Sequence, residues 1–186
     1  MLAAIIWAGI WSGLGFSTDM PLLLPDGIYA QDCLHRRHKV HRIMGDQIFS
    51  QETNFYDDEC TQPQIRIEME GSYQLNGSGH LDFTFEDVFY IPWEKVVADL
   101  YSHHQVCGID AWKEGQRHSI QGLSCDFFQS GYFFLIPAKS DKRFGLVKVE
   151  KNQIWMGRLS LDRDATNPFR RPLVFDPNPF RKLEIP

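Results

Sequence analysis

Ile65-Arg66-Ile67-Glu68-Met69-Glu70-Gly71-Ser72-Tyr73-Gln74-Leu75, then Asn76-Gly77-Ser78-Gly79, then Leu81-Asp82-Phe83-Thr84-Phe85-Glu86 is the stretch that decides the fold class of this chain. Its odd positions are apolar or small and its even positions polar or charged, and a period of two belongs to a strand with one buried and one wet face. The residues between the two runs take positive φ cheaply, so the pair predicts an antiparallel hairpin. Alternation puts Ile67, Met69 and Tyr73 of the first strand and Leu81, Phe83 and Phe85 of the second on one face.

Outward from this hairpin, Gly27 to Asp32, Lys39 to Met44 and Gln47 to Tyr56 read as three earlier strands, the last two joined at Gly45-Asp46. Ser119 to Phe128, Tyr132 to Ile136, Phe144 to Val149 and Ile154 to Gly157 read as later ones, with Gly131 and Lys151-Asn152 as turns. One segment breaks the period. Trp93, Val96, Val97, Leu100 and Tyr101 recur at helical spacing behind Pro92, which predicts a single amphipathic helix ending near His103-His104. Pro168, Pro172, Pro177, Pro179 and Pro186 then predict an extended strap over the sheet from about residue 160 to 186. The fold expected is mainly β, with curved antiparallel sheets forming a clam or open barrel, lipocalin-like in general shape, and one amphipathic helix.

A chain of 186 residues fits one domain. A net charge of −5 with 23% charged residues gives no electrostatic basis for a nucleic-acid partner. The aromatic content of 13% suits a sandwich core or an apolar ligand cavity. Residues 1–16 carry no charge, and the run is shorter than the roughly 20 residues of a spanning helix, so residues 1–20 read as a signal leader and residues 21–186 as the domain. Behind such a leader, four cysteines beside turn residues (Cys33, Cys60, Cys107 and Cys125) point to disulfides and a secreted or periplasmic location.

His35, His38 and His41 invite a metal reading, but on a strand His38 points away from the other two, and Arg36, Arg37, Lys39 and Arg42 around them repel a cation. No metal is expected. The four basic residues instead form a candidate contact surface for an anionic head group, a membrane surface or a partner. Neither a G-x-S-x-G elbow nor an H-E-x-x-H helix nor a P-loop occurs, and the carboxylates are scattered. The sequence therefore offers no catalytic residue and calls for no cofactor.

Tyr56 to Tyr73, reading Y-D-D-E-C-T-Q-P-Q-I-R-I-E-M-E-G-S-Y, resembles the cysteine-loop-strand unit of the adenomatosis polyposis coli down-regulated family, extracellular Wnt antagonists of animals. Gly27-x-Tyr29 ahead of Cys33 and Arg36 is similar to that family's opening strand, and Cys107-Gly108, Trp112, Gly115 and Cys125 to its later cysteine segment. The resemblance implies a β-clam that grips an acyl chain between curved sheets, with disulfides at its rim. The sequence-adjacent pairs Cys33 to Cys60 and Cys107 to Cys125 follow the family's layout and are the bridges expected. The function expected is non-enzymatic: an extracytoplasmic protein holding a lipid or acyl chain, or a lipidated protein, in a cavity lined by Ile67, Met69, Tyr73, Leu81, Phe83 and Phe85. Two rivals stand beside it: an interaction domain with a filled core that uses the basic segment, and a hydrolase or isomerase with carboxylates at a cavity mouth.

Overall fold

Five strands in sequence form a meander in the computed structural model, which describes residues 22–184: β1 (Gly27–Ala30), β2 (Arg37–Met44), β3 (Gln47–Phe55), β4 (Pro63–Leu75) and β5 (His80–Pro92). An insertion follows with α1 (Lys95–His103) and the two-residue strands β6 (His118–Ser119), β7 (Ser124–Cys125) and β8 (Phe134–Leu135). β9 (Lys142–Glu150), β10 (Gln153–Met156) and β11 (Phe180–Lys182) come last. The leader expected over residues 1–20 lies outside the described residues. No helix among the described residues is long and apolar enough to cross a membrane.

Pairing is antiparallel throughout and runs β1-β2-β3-β4-β5-β9-β10-β11 and back to β1, so the curved sheet comes round on itself as one ring. A sheet that returns to its first strand leaves few open edges to protect. The mainly β, curved antiparallel architecture with one helix is the one the alternation predicts, carried here by a single continuous sheet. The ladder between β4 and β5 is interrupted once. Glu70 pairs Asp87 and Gly71 pairs Phe85, so Glu86 is an extra residue that bulges the β4–β5 ladder and increases its twist. At Gly71 a Cβ would lie 2.1 Å from the Thr84 carbonyl oxygen, so only glycine fits that approach.

Inward-facing residues fill two contiguous cores. Tyr29, Ile43, Ile48, Tyr73, Leu81 and Ile154 pack in one. In the other, Phe85, Val88 and Tyr90 of β5 meet Val97 and Tyr101 of α1 and Trp112, Ile120 and Cys125 of the insertion. The insertion thus plugs the barrel where β5 outruns β9: β9 pairs only His80 to Thr84, and β6 takes Phe89 and Tyr90 instead. The plug is tied by Trp112 Nε1, which donates to the Val106 carbonyl at 3.2 Å, and by a 3.2 Å contact between the Tyr90 and Tyr101 hydroxyls. Burial pushes the Tyr90 hydroxyl far above the usual range, so it stays protonated.

Four elements differ from the sequence expectation. The strands expected at Ser119 to Phe128 and Tyr132 to Ile136 shrink to β6, β7 and β8, because Gly122, Gln129 and Gly131 take positive φ and turn the chain into a plug. Pro92 ends β5 opposite Ile65 rather than opening the helix, whose extended N-cap is Glu94. The helix buries Val97, Ala98 and Tyr101 but leaves Val96 and Leu100 exposed, so its covered stripe is narrower than the pattern implies. The proline-rich strap does cross the surface, yet it ends in β11, which lies between β1 and β10 as a stave of the ring.

Both expected disulfides are present, and no cysteine is free among the described residues. Cys33–Cys60 joins the β1–β2 connection to the β3–β4 connection, and Cys107–Cys125 joins the short 3-10 turn Val106–Gly108 to β7. Such bridges persist in an oxidising, extracytoplasmic environment.

Candidate functional site

Along the inner face of β2, Ile43 belongs to the core, but the next inward positions are His41, Lys39 and Arg37. The register sets His41 opposite Ser50 and Lys39 opposite Glu52 on β3, and Ser50 opposite Met69 on β4. Met156 of β10 and Phe180 of β11 close the far side, and Arg158 and Leu159, just after β10, form the lip with Asp176 of the strap. These residues enclose a mouth cavity of about 380 Å³, within the size range of small-molecule sites.

The lining is divided by chemistry. Met69, Met156 and Phe180 supply apolar surface, while Arg37, Lys39 and Arg158 supply cations. Lys39 Nζ lies 3.1 Å and Arg37 Nη1 3.7 Å from Glu52, so two cations share one carboxylate. At such partly exposed positions the pairs add little stability and are available to exchange partners. Asp176 accepts a hydrogen bond from the Asn178 backbone N–H at 2.8 Å. Its charge leaves the lining with three cations against two carboxylates.

His41 sits at the floor, with Nδ1 2.7 Å from Ser50 Oγ and its ring 4.2 Å from that of Phe180. Burial, with Lys39 adding repulsion, holds its pKa down to about 4, so the imidazole is neutral at pH 7. The linkage has a definite sign. The unfolded chain protonates this histidine near pH 6.5 and the folded one near 4, so its stabilising effect is complete above pH 6.5 and is lost as pH falls toward 4. Because the ring is only partly buried at the mouth, the loss is on the order of 2 kcal/mol rather than the full desolvation value. In denaturant titrations, His41→Gln should therefore remove part of the wild-type slope between pH 6.5 and 4; parallel slopes would contradict the assignment.

The six apolar residues expected to line a cavity do share the inner face. Tyr73, Leu81 and Phe85 are fully buried in the packed cores, Ile67 and Phe83 are half-buried against them, and Met69 borders the mouth. The four basic residues are not brought together. Arg37 and Lys39 turn into the mouth, Arg42 faces outward, and Arg36, in a left-handed turn, pairs with exposed Asp58 at 2.9 Å. The three histidines separate likewise, with His35 in the turn and His38 on the outer face. Among the described residues no group of three His, Cys, Asp or Glu side chains is placed to hold a metal ion.

Ser50, Glu52, Met156, Arg158, Asp176 and Phe180 join the site without having been singled out in the sequence. The one available signal was on β3, where Ile48, Ser50 and Glu52 continue the inner face with decreasing hydrophobicity. The chain matches no protein-family model and no curated protein sequence.

Proposed function

We propose that this protein is a non-enzymatic, secreted or periplasmic binding protein that holds a lipid or acyl-chain ligand at the barrel mouth. The observation that carries the reading is the division of that cavity, with methionine and phenylalanine surface beside a set of cations whose carboxylates are outnumbered. An amphiphile with an acidic head and an apolar tail matches both parts. Each tail methylene sealed against Met69, Met156 or Phe180 gains about 0.8 kcal/mol, and the head exchanges with Glu52 for Arg37 and Lys39. The packed cores beneath the mouth keep the tail in the upper part of the ring. A Wnt-antagonist-like role, with a lipidated protein as ligand, draws its support from the resemblance at Tyr56 to Tyr73.

Native mass spectrometry of the purified protein should show a co-purified lipid, and a fluorescent fatty acid should bind and be displaced by it. Replacing Arg37 and Lys39 together by glutamine should weaken that binding about tenfold to a hundredfold, the value of one to two charge-assisted hydrogen bonds. If wild-type protein neither carries a lipid nor takes up the fatty acid, the binding reading fails and the interaction domain with a filled core replaces it.

A further inference from the structure

Between β7 and β8 the chain makes a finger with no place in the mouth. Phe127 to Ala138 is a run of twelve residues without a charge, reading F-F-Q-S-G-Y-F-F-L-I-P-A. Phe128 is 75% exposed, Tyr132 77%, Phe133 68% and Leu135 77%. Phe134 and Leu135 of β8 point to opposite faces and are both exposed, as are Tyr132 and Phe133 in the loop before them, so neither side of the finger is covered over this length. A groove on a protein partner covers one side of a strand; a medium that surrounds the finger covers both.

The finger is firmly rooted. Cys125 is fully buried in the bridge to Cys107, Phe127 stacks on Tyr90 at 4.7 Å, and hydrogen bonds cross the arms from Gly122 N–H to the Pro137 carbonyl and from Ile136 N–H to the Leu123 carbonyl. Part of its turn is closed from within: the Asp126 carboxylate accepts from the Ser130 and Gly131 N–H groups, and Ser130 Oγ from the Tyr132 N–H. Backbone groups paired in this way lose less on leaving water at a bilayer boundary. Just past the apolar run, Lys139 and Lys142 are exposed on either side of Asp141, whose carboxylate accepts from the Ala138 N–H at 2.8 Å. Lysines beside an apolar tip reach lipid phosphates while the tip is sunk.

We infer that the β7–β8 finger is a membrane-docking element, which dips Phe128, Tyr132, Phe133 and Leu135 into the interface of an anionic bilayer and sets Lys139 and Lys142 against its head groups. Phenylalanine, tyrosine and leucine suit that boundary, where apolar bodies are buried and the tyrosine hydroxyl stays wet; the one carboxylate of the turn, Asp126, is engaged by the Ser130 and Gly131 N–H groups. This element is separate from the mouth residues, so it places the protein on a surface from which an amphiphile is taken or to which one is delivered.

Co-sedimentation of the full chain with vesicles of phosphatidylcholine containing roughly 30 mol% phosphatidylserine tests it. Wild-type protein should pellet with these vesicles. The triple variant Tyr132→Ser, Phe133→Ser, Leu135→Ser should partition at least about tenfold less, and Lys139→Gln with Lys142→Gln should weaken binding to the anionic vesicles while leaving binding to pure phosphatidylcholine unchanged. All variants share one N-terminus, so differences among them report on the finger, and circular dichroism with intact bridges confirms their fold. The proposal is overturned if wild-type protein stays in the supernatant or the triple variant pellets equally well. It is equally overturned if the finger instead mediates self-association, seen as a dimer that the triple variant abolishes without any change in vesicle binding. The Arg37 and Lys39 variant should pellet as wild type does, so failure of the mouth reading and failure of this one are told apart.

Discussion

Replacing Arg171 by alanine should destabilise the protein by about 2 to 3 kcal/mol, because it strips a buried cation from partners that were desolvated for it. Arg171 lies on the strap, is 9% exposed, and reaches back to the ring: its guanidinium is 2.5 Å from Asp82 of β5 and donates to the Gly145 carbonyl of β9 and, at 3.4 Å, to the Leu81 carbonyl. Removal leaves Asp82 without its ion-pair partner and frees the strap at the point where it crosses the β5–β9 seam. Asp82 retains some contact with water, which keeps the expected loss below that of a fully buried pair. Equilibrium denaturation measures the loss directly. A change under about 0.5 kcal/mol, that of an ordinary surface substitution, would show that the strap is held elsewhere.

A comparable loss is expected when Cys107 and Cys125 are both changed to alanine. The bridge closes a loop with a sequence separation of 18, which corresponds to about 3 kcal/mol by the chain-entropy argument. The consequence should also be local. Cys107 and Cys125 lie in the same core as Trp112, Ile120 and Tyr101, so the double variant should alter near-ultraviolet dichroism from that aromatic cluster as well as lower the denaturation midpoint. Changing Cys33 and Cys60 instead, with a separation of 27 and no place in either core, should lower stability by about the same amount but leave the aromatic signal intact. Equal aromatic changes in both variants would remove the distinction drawn between rim bridge and plug bridge.

The β4–β5 hairpin was legible because its alternation is long, its turn residues are unambiguous and the period of two persists on both arms. The return of the sheet to β1 was not. It depends on Phe180–Lys182, three residues in a proline-rich stretch where no period can register, pairing with Tyr29 and Ala30 far upstream. The plug misled in the opposite direction: Phe127, Phe128, Tyr132, Phe133 and Phe134 carry strong strand propensity, but left-handed backbone at Gln129 and Gly131 decides that segment. At the mouth, the pattern Arg37, Lys39, His41 reads from sequence as a wet outer face, since charged residues are seldom turned inward. Only the register against Ser50 and Glu52 and the seating of His41 on Phe180 reveal that the wet side here is the inside of a ring.

The placement of β11 also bears on the order of events as the chain folds. The meander from β1 to β5 pairs neighbours in sequence and can assemble quickly, but β1 keeps one open edge until a partner more than a hundred residues later arrives. Until then a nascent chain presents that edge to other chains, the condition under which strands pair wrongly between molecules. Long-range pairing of this kind is expected to make seating the last stave the slow step, so a chaperone that shields the edge of β1 would act at the point of greatest hazard.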